Sequence, residues 1–323
     1  MSSPAELYDA VRDEAGTVLI GNEDIIEGLT VSLLTGGHVL LEGVPGVAKT
    51  TMANLFARTT GLEYQRIQMT PDILPADITG TNVYREQLGE FELRKGPVFA
   101  NTVVADEINR ATPKAQAALL EAMQERRVTI EGQTLALPEP FIVIATQNPI
   151  EMEGTFSLPE AQRDRFQLKL TVDLPNREDE RALFDRFNSD PGLDADRATQ
   201  VTTPEDIVEA QDAVAEVYLD ERVREYILDI VEATRESPDI LHGASPRATL
   251  AFLNAGKARA AIEGRDYVIP DDIKSLAQPV LRHRLVLTTD AQLADETTGE
   301  VIDDVLGAVS APGAEEVSAA ALD

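Results

Sequence analysis

The stretch Gly43-Val44-Pro45-Gly46-Val47-Ala48-Lys49-Thr50 decides the fold. It follows a short apolar run, Val39-Leu40-Leu41, and opens a segment of helical pattern, Lys49–Thr60. A glycine-bearing turn between strand and helix that closes on Lys-Thr has the layout of a phosphate-binding loop, G-x-x-x-x-G-K-[ST]. Such a loop turns backbone N–H groups inward at a helix N-terminus, where the partial positive charge of the helix lies. Gly43 through Thr51 would hold the phosphates, with Lys49 reaching the β- and γ-phosphates and Thr50 ligating Mg²⁺. Ala48 departs from the pattern, which has glycine there. It fits if the position has helical dihedrals and phosphate comes no closer than a methyl group allows. The competing reading is a plain Gly/Pro-rich turn with a surface lysine. Against it, the chain is Arg-dominated, and its other lysines are only Lys95, Lys114, Lys169, Lys257 and Lys274.

Outward from the loop, apolar runs alternate with helical patterns. The runs are His38–Leu41, Tyr64–Met69, Thr102–Ala105, Phe141–Thr146 and Gln167–Val172. Such alternation predicts βαβ units and a parallel sheet, and runs this short and apolar suit strands buried on both faces. Two of them end in polar residues. Val103-Val104-Ala105 leads into Asp106-Glu107, and Ile142–Thr146 leads into Gln147-Asn148-Pro149. At the C-terminal edge of a parallel sheet such groups face the ligand crevice. Asp106 would hold Mg²⁺, Glu107 would orient and polarise an attacking water, and Asn148 could position that water. Each feature alone also reads as a solvated turn. His38 reads as an ordinary strand-start residue rather than a ligand.

Beyond Pro175-Asn176-Arg177 the pattern turns helical without convincing strands: Glu178–Phe187, Glu205–Val217, Glu221–Thr234, Pro246–Ile262, Pro270–Leu281 and a last face of Val301, Ile302, Val305 and Val309. The expected organisation is an α/β core over 1–175, a small all-helical domain over 176–310, and a disordered acidic tail over 311–323. Ser245 and Pro246 suit the N-cap and first position of a helix, which puts Arg247 in a first turn where a cation opposes the helix dipole. The chain has 323 residues, no cysteine and a formal net charge of −29. Disulfides and Cys-based zinc sites are thereby excluded. The spread of acids and the scarcity of lysine favour a salt-adapted, haloarchaeal source over a basic partner, and a broadly basic nucleic-acid footprint is missing. With no apolar run of membrane-spanning length and no secretory leader at Met1–Ala10, the expected location is cytoplasmic.

Gly43–Thr50, Asp106-Glu107-Ile108-Asn109-Arg110-Ala111, Ala145–Pro149 and Leu158-Pro159-Glu160-Ala161-Gln162-Arg163-Asp164-Arg165-Phe166 together resemble the MoxR family of AAA+ ATPases. So do Ile20-Gly21-Asn22 and Gly36-Gly37-His38, and the resemblance runs from about Leu19 to Arg247. It implies a P-loop AAA+ core with a five-stranded parallel sheet, a helical lid, ATP and Mg²⁺, and a homo-oligomeric ring, usually a hexamer, with nucleotide at subunit interfaces. It makes Lys49 and Thr50 the Walker A residues, Asp106 and Glu107 the Walker B acids, and Asn148 the sensor 1 residue. Gly21 joins the nucleotide-binding set on the same ground. Arg165 takes the place of the arginine finger, Arg163 beside it competing for that role, and Gly243-Ala244-Ser245-Pro246-Arg247 takes that of sensor 2. Val83–Lys95 looks like a hairpin inserted after the second strand, and Arg127–Leu137, with Glu131-Gly132 between alternating runs, reads as a hairpin in its own right.

The implied function is Mg-dependent ATP hydrolysis in a chaperone-like ring. The ring would remodel or activate protein clients, or insert a metal or cofactor into them, and in this family the client often carries a von Willebrand factor A domain. The alternatives are a nucleic-acid-remodelling AAA+ motor, a chelatase-type motor subunit and a nucleotide-dependent module without turnover. Glu107 and Arg165 count against the last. Acids Glu86, Glu90 and Glu92 among Arg85, Arg94 and Lys95 count against the nucleic-acid motor.

Overall fold

A computed structural model describes residues 3–87, 89–149, 155–190, 192 and 195–313. In chain order its first elements are α1 (Pro4–Gly16), α2 (Glu23–Leu34), β1 (Val39–Gly43), α3 (Lys49–Thr59), β2 (Tyr64–Gln68), α4 (Pro75–Thr79), β3 (Gly80–Arg85), β4 (Glu90–Lys95), β5 (Thr102–Asp106), α5 (Pro113–Glu125), β6 (Arg127–Ile130), β7 (Gln133–Ala136) and β8 (Ile142–Gln147). There follow α6 (Glu160–Arg163), β9 (Leu168–Val172), α7 (Arg177–Ser189), α8 (Pro204–Ala215), α9 (Glu221–Glu236), β10 (Ile240–His242), α10 (Pro246–Ile262), α11 (Pro270–Leu281), β11 (Val286–Leu287), α12 (Thr289–Leu293) and α13 (Thr298–Ala308). The tail expected to be disordered lies, from residue 314 on, outside the described residues.

Five strands form the expected parallel sheet, in the order β2-β5-β8-β1-β9. Parallel ladders join β2 to β5, β5 to β8 and β8 to β1, with Val39 opposite Ile144 and Ala105 opposite Ala145. Strand β5 is buried along its whole length and β8 up to Gln147, as continuous apolar strands in the middle of a covered sheet should be. Full burial of side chains such as Val103, Val104 or Ile144 stabilises the sheet by roughly 1.5–3 kcal/mol each. The outer strands differ from the sequence expectation of burial on both faces. In β2 only Ile67 is buried and Gln65, Arg66 and Gln68 are exposed, and β9 alternates. The physical reason is position: an edge strand has a neighbour on one side only, and the mean polarity of β2 fits that place.

Both expected hairpins form. The β3–β4 ladder runs from Gly80 opposite Lys95 to Arg85 opposite Glu90, and β6–β7 pairs Arg127 with Ala136. The helical second half contains one feature not foreseen, a short antiparallel pair of β10 and β11. There α9, α10, α11 and α13 pack on one another, and α10 turns Ala248, Ala251, Ala255 and Ala258 inward, small residues that allow close helix approach.

By contacts the chain forms two units that interleave in sequence. The sheet unit comprises Asp9–Leu158 and Leu170–Val208. The helical unit comprises the residues up to Tyr8, Pro159–Lys169 and the described residues from Glu209 on. The segment around α6, which chain order places with the core, is tied by Arg284 and His283: their side chains meet the Phe166 carbonyl at 2.7 and 3.0 Å.

His38 is a structural bridge in the sheet unit rather than a simple strand start. Its Nδ1 accepts the Val143 N–H at 3.0 Å, which makes Nε2 the donor to the Met123 carbonyl at 3.1 Å. Burial, with the Arg126 charge nearby, lowers its pKa from 6.5 to about 3, while the bond to Met123 works the other way. A depressed histidine is neutral when folded and protonates when unfolded, so folding stability is whole above pH 6.5 and falls as the pH drops toward 3, by up to about 1.4 kcal/mol per pH unit. In NMR titration of the folded chain, the His38 ring shifts should stay constant from pH 8 to about pH 5. A midpoint near 6.5 would contradict the buried neutral bridge.

Candidate functional site

Strands β5, β8 and β1 are consecutive neighbours and parallel, so their C-terminal ends lie side by side. The segments leaving them line one cleft of about 440 Å³: residues 45–51 after β1, Asp106 and Glu107 at the end of β5, and Thr146, Gln147 and Asn148 at the end of β8. Of the residues expected to bind nucleotide, Pro45, Gly46, Val47, Ala48, Lys49, Thr50 and Thr51 line it. The carbonyls of Gly43 and Val44 accept hydrogen bonds from Lys49 Nζ at 2.5 and 2.9 Å. Gly43 is required by packing: a Cβ there would lie 2.5 Å from the Val172 carbonyl oxygen of β9. Gly46 is required by conformation, at φ 88°. Gly21 is not among the lining residues; a Cβ on it would meet Asp179 at 3.0 Å.

The helical dihedrals that would suit alanine at position 48 are not found. Ala48 has φ 60° and ψ 24°, in the left-handed region, immediately before α3. That conformation costs an L-residue roughly 1–2 kcal/mol. Ala48→Gly relieves this while adding about 0.4–1 kcal/mol of unfolded-state entropy. Chemical denaturation should therefore show Ala48→Gly as neutral to about 1 kcal/mol more stable, and Ala48→Val as clearly less stable, since a β-branched residue tolerates positive φ worst. A loss in the glycine variant would contradict the strained alanine.

The two acids are held differently. Asp106 Oδ1 accepts from Thr146 Oγ1 at 2.6 Å, and Oδ2 accepts from Thr50 Oγ1 at 3.2 Å and from Arg66 Nε at 3.0 Å. Arg66 Nη2 bonds the same oxygen. Burial works against ionisation of Asp106, but the bonds from Thr146, Arg66 and Thr50 and the Arg66 charge outweigh it and hold the carboxyl below its usual range. Glu107 has left-handed backbone at φ 57°, and its N–H donates to Thr146 Oγ1 at 2.9 Å. A non-glycine residue in that region at a cleft is strain of the kind that functional sites store. Its Oε2 accepts from Gln68 Nε2 at 2.8 Å and from Arg110 Nη1 at 3.0 Å. Asn148 lies in the cleft, buried.

Sequence reading did not find Arg66, Gln68 or Arg110, nor the double role of Thr146. A signal existed for the first two: polar residues spaced by two on either side of Ile67 mark one face of a strand. Which acid that face would meet follows only from the register, in which Gln68 stands opposite Asp106.

The two arginines expected to act belong to the helical unit. Arg165 lies half-buried in the turn after α6, with Arg163 at the end of that helix. Arg247 is exposed in the first turn of α10, where Ser245 caps the helix by accepting from Arg247 N–H at 3.1 Å and Pro246 takes the first position. Asp164, between Arg163 and Arg165, accepts from Ser245 Oγ at 2.8 Å and from Arg284 Nε at 2.9 Å. Arg284 is almost wholly buried and also donates to the carbonyls of Phe166, Gln167 and Val280. Burial lowers its pKa against the pull of Asp164, and Arg247 adds to the lowering. Removing one partner of a buried pair leaves an uncompensated charge. Asp164→Ala should therefore cost on the order of 3 kcal/mol. Chemical denaturation of that variant beside Asp164→Ala/Arg284→Met checks this, the double variant being expected to lose less than the two single losses added.

Comparison with known proteins shows the family. Residues 38–168 match the family described as ATPase family associated with various cellular activities (AAA), and residues 232–305 match the AAA lid domain. The chaperone MoxR1 of Mycobacterium tuberculosis is 47% identical over 93% of this chain and 81% of its own length. Protein MoxR of Methylorubrum extorquens is 31% identical over 92% of this chain and 91% of its own. A crystal structure of a protein from Cytophaga hutchinsonii superposes with a TM-score of 0.88 at 40% identity, covering 96% of each chain. These relatives are bacterial, and they do not bear out the salt-adapted, haloarchaeal source expected from the acid-rich composition. Among the described residues no helix is long and apolar enough to cross a membrane.

Proposed function

Because the chain belongs to the MoxR family of AAA+ ATPases, we propose that it hydrolyses ATP with Mg²⁺ and uses the cycle to remodel or activate protein clients. The observation that carries this reading is the meeting of Lys49, Thr50, Asp106, Glu107 and Asn148 in one cleft. Thr50 Oγ1 and Asp106 Oδ2 are hard oxygen donors 3.2 Å apart. One hydroxyl and one carboxylate suit Mg²⁺, which keeps waters and shares phosphate oxygens. Among the described residues no group of three or more His, Asp or Glu gathers to hold a metal independently of a nucleotide. The ion would supply neutralisation of phosphate charge.

In the proposed chemistry, backbone N–H groups of the loop cradle the phosphates and Lys49 exchanges its carbonyl partners for phosphate oxygens. Glu107 polarises the attacking water once its carboxylate leaves Gln68 and Arg110, and Asn148 orients that water. Subunits form a homo-oligomeric ring, a hexamer by family habit, in which Arg165 reaches the neighbour's nucleotide and Arg247 serves as the lid cation. The client is a protein, with a von Willebrand factor A domain as the class to test first, and the location is cytoplasmic. A nucleic-acid partner is disfavoured because on the β3–β4 hairpin the base Arg85 pairs with Glu92 across the strands.

The test is ATP hydrolysis and oligomer size, measured together on the full chain. Wild type should turn over. Glu107→Gln should bind ATP and assemble but lose about 10²-fold or more in rate, and Arg165→Ala should lose on the order of 10³-fold with binding retained. A wild type that never binds ATP would overturn the reading. An equal loss in Arg163→Ala with none in Arg165→Ala would move the finger to Arg163.

A further inference from the structure

Arg66 has no part in the chemistry proposed above, yet it lies on the acid assigned to the metal. Its guanidinium places both Nε and Nη2 on Asp106 Oδ2, the oxygen that also faces Thr50 Oγ1. The other oxygen, Oδ1, is committed to Thr146 at 2.6 Å. The metal-facing oxygen of Asp106 is therefore already held by a cation, and a second cation at that oxygen meets like-charge repulsion.

We propose that Arg66 is a resident counter-ion on Asp106 that Mg²⁺ must displace, and that it thereby sets the metal concentration at which nucleotide is held. The inference rests on the Mg–nucleotide reading of the cleft. Three observations support it. Asp106 is buried, so without metal its charge needs a partner, and an orphaned buried carboxylate is costly. Arg66 stands on the edge strand β2 with its side chain 48% exposed, so it can leave without stranding its own charge. It also has a second holding point, since Nη2 donates to Gln68 Oε1 at 2.7 Å. Arg66 is thus a positioning residue. It keeps the carboxylate ionised and aimed into the cleft, and it competes with the ion that the carboxylate is assigned to bind.

The test uses the full-length chain and a fluorescent ADP analogue, titrated with Mg²⁺ and separately in EDTA, for wild type, Arg66→Gln and Arg66→Lys. A partly exposed pair is worth about 1 kcal/mol, which corresponds to a shift of about five-fold. The half-saturating Mg²⁺ concentration should fall about five-fold in Arg66→Gln, with affinity in EDTA unchanged. Arg66→Lys keeps the charge but loses the forked geometry, so its midpoint should lie between the two. An unchanged or raised midpoint in Arg66→Gln, with normal binding in EDTA, overturns the inference and leaves the site reading intact. If wild type binds no nucleotide with or without metal, the site reading falls and this inference with it. Should Arg66→Gln not fold, a wild-type midpoint in Arg66→Lys overturns the inference by itself.

Discussion

The parallel pairing of β5, β8 and β1 is the constraint on which the rest depends. Three consecutive neighbours in one sheet end at the same edge, and three unrelated chain segments are delivered there: the loop after β1, the acid pair and the Asn148 turn. The register makes Thr146 nearly level with Asp106, which lets one hydroxyl hold the carboxylate of Asp106 and the N–H of Glu107 together. The burial of β5 and β8 keeps that edge fixed, because a slip of one residue would turn every apolar side chain to the wrong face.

Electrostatics at the cleft follow from this arrangement. Asp106 is desolvated, a cost that hydrogen bonds and one guanidinium offset. Glu107 is strained in backbone and engaged by Gln68 and Arg110. Both acids are therefore held by groups of the protein that a metal or a water would have to replace. Lys49 is held in the same way, by carbonyls of its own loop. Thr50, Asp106, Glu107 and Lys49 thus each have a hydrogen-bond partner within the chain.

The helical unit applies the same economy of polar groups to a different end. Asp164 joins the N-cap of α10 to a nearly buried Arg284, and Arg284 spans the carbonyls of the segment that carries Arg165. The segment around α6 and the first turn of α10 are thus parts of one packed body. Ser245 bonds both the Asp164 carboxylate and the backbone N–H of Arg247.

Local chemistry made much of this legible in one dimension. The alternation of apolar runs with helical periods specified the α/β class, the Gly-rich turn before Lys49 specified a strand–loop–helix junction, and the acids Asp106 and Glu107 marked a strand end. These are properties of neighbouring residues, written in spacing and in residue type. Strand order is not, and so the apolar runs could not reveal that β2 lies at an edge with Arg66 and Gln68 facing out. Backbone strain is not either: Ala48 adopts a left-handed conformation that its residue type disfavours, because the loop around it is fixed on both sides by β1 and α3. Arg66 and Asp106 stand 40 residues apart, as do Asp106 and Thr146. Only the pairing of β2 and β8 with β5 brings them within hydrogen-bonding distance, since long-range contacts are set by the packing of whole elements rather than by the residues at their ends.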